Sequence, residues 1–131
     1  MRIFTAAILV CAMTATSLAA KPPLREVQEI DDMVMVIAIA LKLRKSCDDI
    51  SARWFRGHST ANELKSRARA LGYSEDEIDE YVTSKTEKKR LRAKAVKFLA
   101  ENGVPDDDKA AFCSFGRRQI QSQTDIGRLL R

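Results

Sequence analysis

Nucleophilic hydrolysis is the first chemistry to consider, because serine and cysteine hydrolases need a base beside the nucleophile. The chain has one histidine, His58, within the segment "RGHST". Neither a G-x-S-x-G motif nor a cysteine-protease signature accompanies it. The segment interrupts a helical pattern, so we expect His58 to be exposed to solvent or to cap a helix. No hydrolase site is predicted.

Two acidic clusters could supply the paired carboxylates of a glycosidase. They are "EDEIDE" at 75–80 and "DDD" at 106–108, and both lie at predicted helix starts, where capping and the helix dipole account for acidic residues. The glycines are isolated, so no phosphate-binding loop is expected. Two thiols and one imidazole are too few for a zinc site. We therefore predict no enzymatic activity, no cofactor and no metal.

The first twenty residues differ from the rest of the chain. Arg2, the apolar run "IFTAAILVCAM" and the small residues of "TSLAA" are typical of a cleaved secretory signal peptide. An uncleaved membrane anchor is the alternative, although the run is shorter than the roughly 20 residues that span a bilayer. We expect export to the periplasm, with a signal peptide at 1–20, an extended proline-containing arm at 21–28 and a helical domain at 29–131.

Signal cleavage would leave two of the three cysteines, Cys47 and Cys113. An even number of cysteines in an exported chain is typical of a structural disulfide. A redox-active pair is the alternative, but such pairs usually form a C-x-x-C motif, which is missing from this sequence. The bridge would close a long loop and stabilise the fold by roughly 4 kcal/mol.

Charge gives a first indication of partners. The formal net charge is +5, and it falls by one when Arg2 is removed with the signal peptide. In an exported protein this indicates an acidic protein partner or an anionic membrane surface, and not nucleic acid. The candidate partner-binding surface is a basic run, for which the solvated face of an amphipathic helix is the favoured interpretation: Lys85, Lys88, Lys89, Arg90, Arg92, Lys94 and Lys97.

The elements that would position these residues are helical, since apolar residues recur at spacings of three and four and no segment alternates with period two. Two Ser-x-x-Glu sequences, at Ser74 and Ser84, predict capping boxes. The sequence predicts an all-α single domain of about five helices, at about 29–45, 50–71, 74–82, 84–102 and 107–123, with an apolar tail docked on the core. Asp48 or Asp49 is the expected N-cap of the second helix.

The segment "DDMVMVIAIALKLRKSC", residues 31–47, contains nine consecutive apolar residues from Met33 to Leu41. That run is about half of a membrane span. Acids precede it and bases follow it, as the helix dipole favours. We predict the central core helix, buried on all sides, although its β-branched residues leave a buried strand as an alternative.

Trp54 and Phe55 are adjacent, so a single helical stripe cannot bury both. Trp54 continues the apolar pattern of Ala61 and Leu64. Phe55 would point sideways, toward a second packing contact or an exposed interaction site. Core packing is the prediction for both aromatic residues.

Several segments of the chain resemble one small family: "KPPLREV" after the signal peptide, "CDDI" at 47–50, "LKSRARALGYS" at 64–74, "FCSFGR" at 112–117 and "IGRLL" at 126–130. That family consists of short, exported alphaproteobacterial proteins of unknown function, whose genes often lie among those of respiratory complex I. The resemblance implies an accessory or assembly role on the periplasmic side of that complex. It implies no catalytic residues, and its cysteine pattern supports the bridge.

Three functions are therefore open. The first is a non-enzymatic periplasmic protein that binds another protein, accessory to complex I. The second is an unrecognised enzyme or small-molecule binder, for which a deep pocket lined by Arg53, Arg117 or Arg118 would be evidence. The third is an envelope-structural or stress protein.

Overall fold

The computed structural model describes residues 20–131 of the chain. Apolar periodicity and local capping favour helices there, and the structure consists mainly of helices. They are α1 (Gln28–Ser46), α2 (Trp54–Ala70), α3 (Glu75–Thr83), α4 (Lys85–Glu101), α5 (Lys109–Ser122) and α6 (Asp125–Arg128). The all-α class is confirmed. A single 3₁₀ turn, Leu24–Glu26, interrupts the arm that was expected to be extended. The predicted signal peptide lies outside the described residues, apart from Ala20.

Side-chain caps explain several helix boundaries. The Ser74 hydroxyl accepts from the Glu77 backbone N–H at 3.2 Å, and the Glu77 carboxylate accepts from the Ser74 N–H at 2.7 Å, so this capping box is confirmed. Ser84 caps α4 through the Glu87 N–H in the same way. The Glu87 carboxylate instead binds two arginines, so the second box is only half formed. Short-range patterns therefore set these boundaries reliably.

The start of α2 differs from the prediction. The helix begins at Trp54 and is continuous through Gly57 and His58, so neither a start near Ile50 nor an Asp48 or Asp49 cap is correct. The Ser51 N–H donates to the Arg131 carbonyl at 2.7 Å, and the Arg131 N–H donates to the Ser51 carbonyl at 2.8 Å. These bonds hold the segment before α2 extended against the end of the chain. A helix cannot include backbone groups that are already paired elsewhere.

One face of α1 packs against α5 and α6 and forms the most deeply buried part of the core. Leu43 of α1, Phe115 of α5 and Leu130 after α6 are between 0% and 1% exposed. Cys47 and Cys113 form the predicted disulfide, with a Cα–Cα distance of 5.7 Å across 66 residues of sequence. Gly127 lets α6 approach α5 closely, because a Cβ there would lie 1.8 Å from the Gln119 carbonyl oxygen. The apolar tail thus docks on the core, as predicted.

The opposite face of α1 is only partly covered. Helix α2 runs antiparallel to α1: Arg67 pairs with Glu29 at 2.9 Å near the start of α1, and Arg44 lies over the Trp54 ring near its end. Between these contacts Ala38 is exposed and Leu41 is 49% exposed. The helix is central, but the prediction that it is buried on all sides is wrong.

Within residues 20–131, no helix combines the length and the apolar character that crossing a bilayer requires.

Candidate functional site

An apolar groove of about 440 Å³ lies between the first four helices. Its floor is a stripe of α1 side chains spaced by three and four residues, as one face of a helix requires. The stripe comprises Ile30, Val34, Ile37, Ala38 and Leu41. Ile30 is buried and Val34 and Ile37 are half-buried, whereas Ala38 and Leu41 are exposed, so the stripe becomes accessible toward the C-terminal half of α1.

The walls of the groove come from the helices on either side of α1. The apolar face of α2 contributes Ala61, Leu64 and Ala68, and Leu91 of α4 lies opposite. Helix α3 contributes Ile78, Tyr81 and Val82. No Asp or Glu is among the described side chains that line the groove, so its interior is apolar and its charged lining residues are all basic.

A buried carboxylate fixes the helices around one part of the groove. Asp31 follows the groove residue Ile30 in α1 and is 2% exposed. It accepts hydrogen bonds from the Tyr81 hydroxyl of α3, from both terminal nitrogens of Arg90 and from the Lys94 ammonium of α4. A buried carboxylate is tolerated only when paired and hydrogen-bonded in this way. Asp31 thus joins α1, α3 and α4.

The contacts within this cluster shift the pKa values of Asp31 and Tyr81. Burial alone would raise the pKa of Asp31, but the hydrogen bonds from Arg90, Lys94 and Tyr81 outweigh it and lower that pKa from 3.8 to about 2. Burial and the hydrogen bond to Asp31 raise the pKa of the Tyr81 phenol above its usual value. The ionised Asp31 is therefore the stable form at neutral pH, and Tyr81 remains a hydrogen-bond donor.

A second buried acid, Glu87, extends the cluster to the N-terminal arm. Glu87 lies 2.7 Å from Arg25 of the 3₁₀ turn and 2.7 Å from Arg90 of its own helix. Arg90 therefore bridges Asp31 and Glu87. Each buried charge has an opposite charge beside it, and these ion pairs form a structural clamp between the arm, α1 and α4.

The predicted basic surface is divided by this clamp. Arg90 and Lys94 point inward to Asp31, while the other members are exposed to solvent: Lys85, Lys88, Lys89, Arg92 and Lys97. Lys88 and Arg92 line the groove, together with Lys65 of α2. Within residues 20–131, none of these three bases is within 4.0 Å of a carboxylate oxygen. They form a positive rim with unused hydrogen-bonding capacity.

One feature of α1, an acid at a core-facing position, could have indicated the clamp from the sequence. Asp31 shares a four-residue spacing with Met35 and Ile39, both of which are buried. An acid on a core-facing stripe requires a cationic partner. The sequence does not identify that partner, because Arg90 and Lys94 lie 59 and 63 residues further along the chain.

Two other cavities flank α1. One, of about 330 Å³, lies between α1, α4 and the loop before α5, and it shares Ala38 and Arg92 with the groove. The other, of about 560 Å³, is a surface depression lined by Lys94, Lys97 and Gln119 among others. Both are lined by acids as well as bases, whereas the groove is lined by apolar side chains and three bases. The groove is therefore the better-formed binding site.

The remaining predicted site residues lie elsewhere. Arg53 Nε donates to the Leu130 carbonyl at 2.9 Å, Arg117 pairs with Asp49 at 3.0 Å, and Arg118 donates to Ser114. None of the three lines a cavity described above, so the arginine-lined pocket that would have indicated an enzyme is not formed by these residues.

The aromatic pair was predicted to pack in the core, and that prediction is wrong. Trp54 is 51% exposed and Phe55 is 94% exposed. Trp54 does lie on the α1 side of α2, and the guanidinium carbon of Arg44 lies 4.7 Å from the centre of its ring. His58 is exposed, as predicted.

Within residues 20–131, no group of three or more His, Cys, Asp or Glu residues is placed to hold a metal ion.

Comparisons with known proteins identify the family of this chain. Searches of curated proteins and of solved structures gave no match. A family model matches residues 22–131, which confirms the resemblance to a family of unknown function; the genomic link to complex I stays a prediction. The chain belongs to DUF5333, a family of unknown function.

Proposed function

We propose that this protein is an exported, non-enzymatic binding protein that docks an apolar helical segment of another protein in the groove between α1, α2, α3 and α4. The partner would be a component of respiratory complex I, with this protein acting in its assembly or as an accessory in the periplasm. The observation that carries the proposal is the open apolar groove, whose floor is an apolar stripe of the central helix that is exposed at Ala38 and Leu41.

The size of the groove suits a helix. From Val34 to Leu41 the accessible floor spans seven residue steps of α1, which at about 1.5 Å per residue is roughly 10 Å, or about two helical turns. Helix-in-groove recognition uses anchors at this kind of spacing. Half-exposed Leu41 lies at one end of the floor and offers an apolar contact that solvent now covers.

The charge of the rim indicates what flanks the docked segment. Lys65, Lys88 and Arg92 surround an interior without acids. An apolar helix with acidic residues at its edges would pair with these bases while burying its apolar face. A basic partner segment would be repelled.

Export is supported by the signal-peptide pattern and by the disulfide, which is typical of oxidising compartments. The link to complex I rests on the gene neighbourhood that the family resemblance implies. Because the family has no assigned function, the partner must be identified by experiment.

The test is capture of the partner with matched obstructing variants. Ala38→Trp fills the groove and the edge of the adjoining 330 Å³ cavity that shares Ala38. Ala93→Trp adds the same bulk to the outer, basic face of α4, where Ala93 is exposed and lines none of the three cavities. Tagged protein is purified from its own membranes, and captured proteins are identified by mass. We expect complex I subunits with the unmodified protein and with Ala93→Trp, and at least about tenfold less with Ala38→Trp.

Two outcomes would contradict the proposal. Capture that survives Ala38→Trp but is lost in Ala93→Trp would place docking on the outer basic face. Capture of no respiratory subunit by any of the proteins would remove the complex I assignment. Charge reversal is a weaker test unless Arg90 and Lys94 are left intact, because these two residues stabilise the fold.

A small-molecule binder is the second candidate, and the same groove favours it. A volume of about 440 Å³ lies within the usual range for ligand sites. The basic rim would select an apolar compound with a carboxylate or a phosphate. Native mass spectrometry of the protein purified from its own cells distinguishes the two, since a bound small molecule adds a fixed mass that Ala38→Trp removes.

A further inference from the structure

We propose that the start of α2 is a peripheral docking site for an anionic membrane surface, with Trp54 and Phe55 inserting among the lipid headgroups. This site is separate from the groove and does not depend on which molecule the groove binds. It shares with the proposed function only the export of the chain.

The exposure of Phe55 is the first observation. Its side chain is 94% exposed, so it makes almost no contact with the fold that would account for an aromatic residue there. Trp54 is half exposed beside it, at the start of α2. An adjacent pair of large exposed aromatic residues is unusual on a soluble surface and marks a contact site.

The local charge is the second observation, and it identifies the occupant. The aromatic pair is bracketed by Arg53 and Arg56 in sequence, and Arg44 lies against the Trp54 ring with Lys45 next to it. Asp48 and Asp49 are the nearest acids in sequence, and Asp49 is paired with Arg117. Basic residues around aromatic residues are the usual composition of a lipid-headgroup contact, because the bases are attracted to the anionic surface.

The shape of the site favours a bilayer over a protein partner. Neither Trp54 nor Phe55 lines any of the three cavities described above, and Phe55, at 94% exposed, projects from the surface. A projecting side chain needs a complementary pocket to bind a protein tightly. A fluid headgroup layer accommodates it without one, at a depth of about 5–10 Å.

Trp54 is the one tryptophan of the chain, so its fluorescence reports on this site alone. The purified exported protein is titrated with vesicles of equal parts phosphatidylglycerol and phosphatidylcholine, and with vesicles of phosphatidylcholine only. We expect a blue shift of the Trp54 emission, together with co-sedimentation, for the anionic vesicles. Both should weaken as salt shortens the range of the charges from about 10 Å at 0.1 M to about 3 Å at 1 M.

Phe55→Ser should weaken partitioning into anionic vesicles by at least about tenfold, because the transfer of a phenyl group out of water is lost. The side chain is almost fully exposed, so the fold should tolerate the change. Leu71→Ser is the matched control, since Leu71 is an exposed apolar residue at the other end of α2 and should leave partitioning unchanged.

Three results would overturn the proposal. They are the absence of a blue shift with anionic vesicles at low salt, equal binding of Phe55→Ser and the unmodified protein, and loss of a co-purifying protein in Phe55→Ser with vesicle binding intact. The last would assign the aromatic pair to a protein partner. Groove variants such as Ala38→Trp should bind vesicles normally, so failure of this proposal and failure of the proposed function are distinguishable.

Discussion

The two faces of α1 carry similar apolar side chains and have different surroundings. Leu43, on the face toward α5 and α6, is fully buried and lies close to the disulfide. Leu41, two residues earlier, faces the groove and is half exposed. Burial of an apolar side chain contributes to stability in proportion to the area that it removes from water. We infer that one face of the helix holds the fold together and the other is available to a partner.

Removal of the disulfide should lower the stability of the protein most, because the bridge lies at the face of α1 that packs against α5 and α6. The double variant Cys47→Ala, Cys113→Ala frees a loop that spans 66 residues of sequence, which should lower the free energy of unfolding by about 4 kcal/mol. Thermal unfolding followed by circular dichroism, with and without reductant, measures the loss. Free-thiol titration of the oxidised protein should find no reactive cysteine after export. Two titratable thiols would contradict the bridge.

Loss of the clamp around Asp31 should have the second largest effect on stability. Asp31→Asn leaves Arg90 and Lys94 without their carboxylate and should cost about 3 kcal/mol, at the low end for a broken buried pair because both cations are partly exposed. Chemical denaturation measures the difference. Asp32→Asn is the control, since Asp32 is mostly exposed and, among residues 20–131, pairs with Lys94 alone. Equal losses in the two variants would show that burial of Asp31 is not what matters.

A matched pair on α1 tests the comparison of its two faces directly. Leu43→Ala should lower the free energy of unfolding by about 3 kcal/mol, as for other fully buried leucines. Leu41→Ala should cost less than about 1 kcal/mol, since half of that side chain is already in water. The difference should therefore be about 2 kcal/mol or more. If Leu41→Ala were as damaging as Leu43→Ala, the groove would be closed in solution.

The pH dependence of stability gives a smaller and more specific effect. The pKa of Asp31 is about 2 in the folded chain and near 3.8 when unfolded, so its ionised form stabilises the fold at any pH above 3.8. That contribution, about 2 kcal/mol, should be lost as the pH falls from about 4 to about 2. Denaturation at several pH values should show it in the unmodified protein and in Asp32→Asn. A slope that Asp31→Asn retains unchanged would contradict the assignment.

The sequence was informative where short-range chemistry determines structure. The Ser74 capping box, the spacing of the apolar residues in α1 and the pairing of the two cysteines follow from local pattern and cysteine count. It was uninformative where distant segments compete for the same groups. The start of α2 depends on hydrogen bonds from residues 51–53 to the chain end.

The candidate site shows the same limit. The run of bases in α4 was visible in the sequence, but the inward turn of Arg90 and Lys94 depends on Asp31, more than fifty residues away. The groove itself is a gap between four helices. The width of such a gap depends on the angles and distances between the helices, which apolar periodicity does not encode.

Site-specific cross-linking from the groove tests the central claim most directly. A photoreactive phenylalanine derivative replaces Leu41 in one protein and Ala93 in another, and each is irradiated in its own membranes. We predict an adduct from position 41 whose cross-linked peptide is an apolar helical segment with acidic flanks from a complex I subunit, and at most a trace of it from position 93. An adduct from position 93 alone, or none from position 41, would contradict a docking role for the open face of α1.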